Sequence, residues 1–162
     1  MHRVRQLVAH LTARVRPGEE DEVRRVLHGD AWRLYAAMPV ADRRHALDVV
    51  ARLRAGGHAD ADVVTAALLH DAAKGHRMRL WHRVAGVLLD AAVPGLLRRL
   101  ASPDPGSRRH PFHLYLHHGR LSAEMAAAAG VSPRAVALIR GDEVGAIDVP
   151  LMRALQAADD AS

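Results

Sequence analysis

Apolar residues return every three or four positions through almost the whole of this chain, and no run of alternating apolar and polar residues is long enough for a sheet. Val4, Leu7, Val8, Leu11 and Val15 set the pattern at the amino end. Ala46, Val49, Val50 and Leu53 repeat it, as do Val63, Val64, Ala67 and Leu68. Such spacing lines one face of a helix with apolar side chains, and a helix striped in this way must bury that face against another. The expected fold class is all-α, a single-domain helical bundle. With 162 residues, 49% of them apolar and 25% charged, the chain is long enough for one genuine core.

Proline and glycine punctuate the pattern. Pro17-Gly18 closes a first amphipathic helix over His2–Val15, and Glu19 to Glu22 bring carboxylates to the start of the next, where they complement its dipole. Trp32, Leu34, Tyr35 and Met38 read as packing residues. A helix beginning near Ala41-Asp42 runs to Gly56-Gly57, and Asp60 caps the one after it. The segment Met78–Ala92 is nearly apolar on two sides and reads as a central buried helix. Gly119 is expected to separate a short helix over Phe112–His118 from another over Leu121–Ala129, and Ser102 to Ser107 reads as a loop and the best candidate for a mobile segment. Pro133–Arg140 and Pro150–Asp160 complete the set.

Composition excludes several classes. There is no cysteine, hence no disulfide and no thiolate metal site. Arg3, Arg5, Arg14 and Arg16 interrupt the amino-terminal apolar residues, which argues against a signal peptide. The longest apolar stretch, Val84–Leu97, is broken by Asp90 and Pro94 and falls short of the roughly 20 residues that span a bilayer. A cytoplasmic protein with no membrane partner is expected. Lys and Arg number 23 against 18 Asp and Glu, a net charge of +5 that favours anionic ligands in a general way. The basic residues read as scattered and aromatics are only 3%, so a nucleic-acid partner is not expected.

The chemistry concentrates in Thr65-Ala66-Ala67-Leu68-Leu69-His70-Asp71-Ala72-Ala73-Lys74-Gly75. Strong helix formers lead into His70 and Asp71, which places both in the last turns of a helix that Gly75 ends. A carboxylate in such apolar company needs a partner. An imidazole beside it, with ligands from elsewhere in the chain, makes a mixed N/O site of the kind that holds Zn, Mn, Fe, Co, Ni or Mg. Lys74, three residues after Asp71, projects to the same side, where its ammonium can meet an anionic substrate.

The order of polar residues then resembles a known family. His45 in Arg44-His45-Ala46-Leu47-Asp48-Val49, the pair His70-Asp71, and Asp159 in Leu155-Gln156-Ala157-Ala158-Asp159 are similar to the single His, His-Asp pair and later Asp of the HD-domain superfamily of metal-dependent phosphohydrolases. The likeness covers about residues 40–160. It implies an HD-type helical domain over 39–162, with residues 1–38 as a helical extension packed on it. It also implies that His45, His70, Asp71 and Asp159 hold one divalent metal, with Asp160 the neighbouring alternative to Asp159. A further likeness is to the HD-GYP-type subgroup. Lys74 takes the place of a lysine after His-Asp, and His118-Gly119-Arg120-Leu121-Ser122-Ala123-Glu124-Met125 is similar to a histidine-containing word at a helix start. The Gly-Tyr-Pro word is absent. Where a His-His pair would follow Leu138-Ile139-Arg140, the chain reads Gly141-Asp142-Glu143-Val144.

The resemblance implies a metal-dependent phosphohydrolase acting on a small phosphorylated molecule such as a nucleotide. Asp71 and Lys74 are the expected catalytic residues. Lys74, Arg44 and His118 are the expected substrate contacts, and His118 with Asp142 the candidates for a second metal; His117 is the neighbouring alternative to His118. Two readings of other classes stand beside it: a metal-stabilised HD-type signalling or interaction module without turnover, and, last, duplex binding through the Arg excess.

Overall fold

The computed structural model describes residues 13–162 except 142–144 and 146–147. Most of the helix expected over His2–Val15 lies outside the described residues, and 13–16 are not helical. The chain forms α1 (Pro17–Val26), α2 (Gly29–Ala36), α3 (Val40–Ala55), α4 (Ala61–Leu69), α5 (Leu80–Ala92), α6 (Pro94–Leu100), α7 (His110–Ala128), α8 (Pro133–Arg140) and α9 (Val149–Asp160). No strand occurs among the described residues.

The centre of the bundle is α4. Val63, Val64, Ala66, Ala67, Leu68 and Leu69 are all buried, so this short helix is apolar on every side, and α2, α3, α7, α8 and α9 all pack on it. Its first turn is tied by Asp60, whose carboxylate accepts from the amides of Asp62 and Val63. Burial of a leucine such as Leu68 or Leu69 is worth roughly 1.5–3 kcal/mol, several times the worth of an exposed ion pair. Core packing therefore decides where the end of α4, and the histidine after it, comes to rest. Val23, Leu27, Ala31, Tyr35 and Met38 belong to the same apolar cluster, so the segment 17–38 is part of this core.

Two expectations change. The central buried helix is α4, and α5 lies at the edge: Trp81, Val84 and Leu88 are 57%, 51% and 60% exposed. Two apolar sides on α5 were legible, but only one has a neighbour. That side meets α7 so closely that a Cβ on Gly86 would stand 2.7 Å from the Tyr115 ring. Second, α7 runs unbroken through Gly119. One helical glycine costs only about 1 kcal/mol, and α7 recovers this by packing on α8, whose Ile139 carbonyl would lie 3.6 Å from a Cβ at Gly119.

Candidate metal centre

Three helices deliver the site. His45 sits on α3, beside the buried stripe of Ala46, Val49 and Val50. Asp159 sits on α9 beside buried Ala158, and α9 packs on both α3 and α4. His70 is the residue that caps α4. The helix ends at Leu69, before the His70-Asp71 pair that the sequence places in its last turns, and Asp71 to Lys74 lie in the turns that follow. Gly75, at φ +51°, takes the left-handed conformation that lets these turns close.

The polar atoms converge. Nε2 of His45 is 2.7 Å from Oδ1 of Asp159. Nε2 of His70 stands 3.4 Å from that oxygen and 3.5 Å from Oδ1 of Asp71. One donor atom each from His45, His70 and Asp159 falls within a span of 4.8 Å. On the other side of Asp71, Nε2 of His118 is 3.9 Å from Oδ1, and Nζ of Lys74 donates to Oδ2 at 2.6 Å.

Hydrogen bonds outside the cluster aim these groups. A carbonyl only accepts, so Nδ1 of His70, 2.9 Å from the Ala67 oxygen, is a donor, and Nε2 is the nitrogen turned to the centre. His118 is held the same way by the Tyr115 carbonyl, 2.9 Å from its Nδ1. The amide of Ala73, between Asp71 and Lys74, donates to Oγ of Ser122 at 3.0 Å, and Ser122 is wholly buried on α7.

Charge is unevenly shared. Burial opposes protonation of His70, but the carboxylates of Asp71 and Asp159 outweigh it and raise its pKa to about 9. Burial also disfavours an ionised Asp71. Lys74 and the imidazoles of His70, His118 and His45 overcome this and hold the carboxyl well below its ordinary range. Asp159 is likewise held low, its partial burial outweighed by His45 and His70. His118 goes the other way, lowered by burial and then by Lys74.

A divalent cation fits this arrangement. Among the described residues, Oδ1 of Asp71 is buried with no hydrogen-bond partner, at a cost of about 1–3 kcal/mol, and buried Nε2 of His70 has only ion-pair contacts of 3.4 and 3.5 Å to Asp159 and Asp71. Both face the place where His45 and Asp159 bring their own donors. Two imidazoles and two carboxylates form a donor set suited to Zn, Mn, Fe, Co or Ni.

Other expected site residues lie elsewhere. The guanidinium of Arg44 is committed to Glu19 at 2.7 Å and Asp48 at 2.8 Å, so the structure does not bring this expected substrate contact to the centre; an adjacent helix position points about 100° away from His45. His117 is exposed and packs on His113, with ring centroids 4.6 Å apart. Asp160 is exposed, and of that pair Asp159 is the one in the cluster with His45 and His70. Asp142 lies outside the described residues.

Sequence reasoning missed Ser122 and an ion pair beneath α5, in which Nη2 of half-buried Arg83 donates to both carboxylate oxygens of buried Asp42, at 2.6 and 2.8 Å. Asp42 sits in the first turn of α3 and reads from sequence as an ordinary helix-start acid; Ser122 reads as an ordinary helical polar residue. Comparison of the chain with models of protein families, with curated proteins and with solved structures finds no match.

Proposed function

We propose that this chain is a metal-dependent phosphohydrolase of the HD-domain type, cleaving the phosphate ester of a small molecule such as a nucleotide. The observation that carries the reading is the convergence of His45, His70 and Asp159, whose donor atoms lie within 4.8 Å of one another, with Oδ1 of Asp71 3.5 Å from Nε2 of His70 and without a hydrogen-bond partner among the described residues. These four would hold the ion. When bound, a divalent cation supplies Lewis acidity toward a phosphoryl oxygen and an acidified water as nucleophile at neutral pH.

The chain's own groups do the rest. Asp71 stays ionised, so its Oδ1 is a ligand and a hydrogen-bond acceptor that orients the attacking water. Lys74 spends one of its three N–H groups on Asp71 and keeps two for a non-bridging phosphate oxygen. His118, whose pKa is lowered, stands beside Asp71 in neutral form with Nδ1–H on the Tyr115 carbonyl, so its bare Nε2 takes a proton from the attacking water and then hands that proton to the leaving oxygen.

One observation favours the module without turnover. With Arg44 turned to Glu19 and Asp48, Lys74 is the one Lys or Arg side chain paired with a proposed ligand among the described residues, a thin provision for a phosphate. The test is phosphate release from a panel of phosphomonoesters and phosphodiesters by protein loaded with Mn, Fe, Co, Ni or Zn. The hydrolase reading expects turnover that His70→Ala and Asp71→Asn abolish and chelation stops. Loaded protein that retains metal yet releases no phosphate from any member would replace it with the module.

A further inference from the structure

The positive charge of this protein is segregated. Between Lys74 and Arg120 the chain carries nine Lys and Arg against two Asp, whereas the rest carries fourteen basic against sixteen acidic residues. The whole net positive charge therefore belongs to the α5–α6–α7 region and the turn before it. Arg77, Arg79, Arg98, Arg99, Arg108 and Arg109 are exposed there, and among the described residues none of the six is in an ion pair with an acid. By contrast, the guanidinium groups of Arg33, Arg43, Arg44, Arg54 and Arg134 all meet carboxylates.

The same region exposes apolar surface. Trp81, Val84 and Leu88 fall at helical spacing on the outer face of α5, and Val93 and Leu96 continue from its end into α6. Folding leaves them half-exposed, Trp81 with its ring 6.4 Å from Phe112 of α7, although Gly86 on another side of α5 is packed on α7. On α6, Leu96 of this stripe is followed by Arg98, which lines a depression of about 430 Å³ together with Ala101, His113, Leu116 and His117.

From this juxtaposition we infer that the α5–α6 face docks on an anionic lipid surface, with Trp81, Val84 and Leu88 entering the interface and the Arg side chains meeting headgroup phosphates. Three features select this occupant. An apolar stripe that includes Trp, framed by Arg, is the composition of a helix lying in a membrane interface. The six Arg side chains without an ion pair among the described residues, against Asp90 and Asp104, repel a second copy of the same face. The exposed apolar residues line neither of the two depressions lined by Arg98 or by Arg140, and a lipid surface adapts to an exposed stripe without a matching groove. That no described helix is long and apolar enough to cross a membrane is no obstacle, because surface docking needs no span. The inference does not depend on the metal centre or on turnover.

The test is flotation of the full chain with vesicles of phosphatidylcholine alone or with 30% phosphatidylserine, near 0.1 M salt. Emission is read in a Trp32→Phe background so that Trp81 is the sole indole. Binding to the anionic vesicles only, with a blue shift of Trp81, is expected. Each Arg near an anionic surface contributes about fivefold in partitioning, so the double variant Arg98→Ala/Arg99→Ala should bind about 25-fold more weakly. Leu88→Glu should abolish the blue shift; all three positions are exposed, and an unchanged thermal melt confirms the fold. Failure to float with anionic vesicles overturns the inference, as does equal binding to neutral ones. A concentration-dependent dimer that Leu88→Glu dissolves would give the face to a second copy. An equal blue shift with polyglutamate and no lipid would give it to an acidic protein. Either would overturn the lipid assignment.

Discussion

Ser122→Ala isolates how the fold aims the metal centre. The serine is buried, touches no ligand, and accepts from the Ala73 amide at 3.0 Å. Removing Oγ leaves that amide unpaired, at a cost of about 1–3 kcal/mol. Alanine is the better helix former by about 0.5 kcal/mol, so the net loss is about 1–2 kcal/mol. For a domain of this size that lowers Tm by roughly 2–8 °C. The effect on the site should exceed the effect on stability, because Ala73 lies between Asp71 and Lys74, and slackening a group that orients a ligand typically costs 10–100-fold in metal affinity. Ser132→Ala is the control: its Oγ caps α8 by accepting from the Ala135 amide at 3.1 Å and donates to Asp62 in the first turn of α4, and losing it costs about 1–2 kcal/mol without touching the turn that carries Asp71 and Lys74. Titration calorimetry with Zn or Mn, together with urea melts, should show both variants destabilised and only Ser122→Ala weakened in metal binding. Affinity within twofold of the parent in Ser122→Ala, or the same weakening in both, would refute the reasoning.

Three further outcomes follow from the geometry. Arg83→Met strands the Asp42 carboxylate in the core and should cost about 3–5 kcal/mol in urea unfolding, while Asp42→Leu/Arg83→Met should recover most of it; a single-variant loss below about 1 kcal/mol would show that the pair does not hold α5 to α3. In metal-free protein, His70 has its pKa raised to about 9, so its contribution to stability is complete below the unfolded value near 6.5 and is lost as pH rises through 9. Chelator-treated protein should thus be less stable at pH 9 than at pH 6.5, and His70→Asn should flatten that slope. Lys74→Met should raise KM for a phosphorylated substrate by about tenfold, the worth of one charge-assisted hydrogen bond, with metal content unchanged as measured by elemental analysis.

The helical architecture was legible because apolar periodicity is a local signal, and α3, α4, α8 and α9 stand close to where Val49, Val63, Leu138 and Leu155 put them. Which helix becomes central was not legible. Both α4 and α5 are apolar on more than one side, and only the packing of α3, α8 and α9 on α4 distinguishes them. At the site, the order of His45, His70-Asp71 and Asp159 was legible, and the fold gathers His45, His70 and Asp159, with Asp71 3.5 Å from His70. Arg44 was misjudged because adjacency in sequence is not adjacency on a helix. Ser122 and Arg83 were invisible because their roles exist only across contacts 49 and 41 residues long.

The central claim is that four side chains from α3, the end of α4 and α9 form one divalent-metal site. Elemental analysis of purified protein after equilibration with a limiting mixture of Mn, Fe, Co, Ni and Zn, followed by desalting, tests it directly. The account predicts about one ion per chain, lost in His45→Ala, His70→Ala and Asp159→Ala alike while Arg44→Ala retains it. Folded protein that carries no ion, or the same ion content in all four variants, would contradict it.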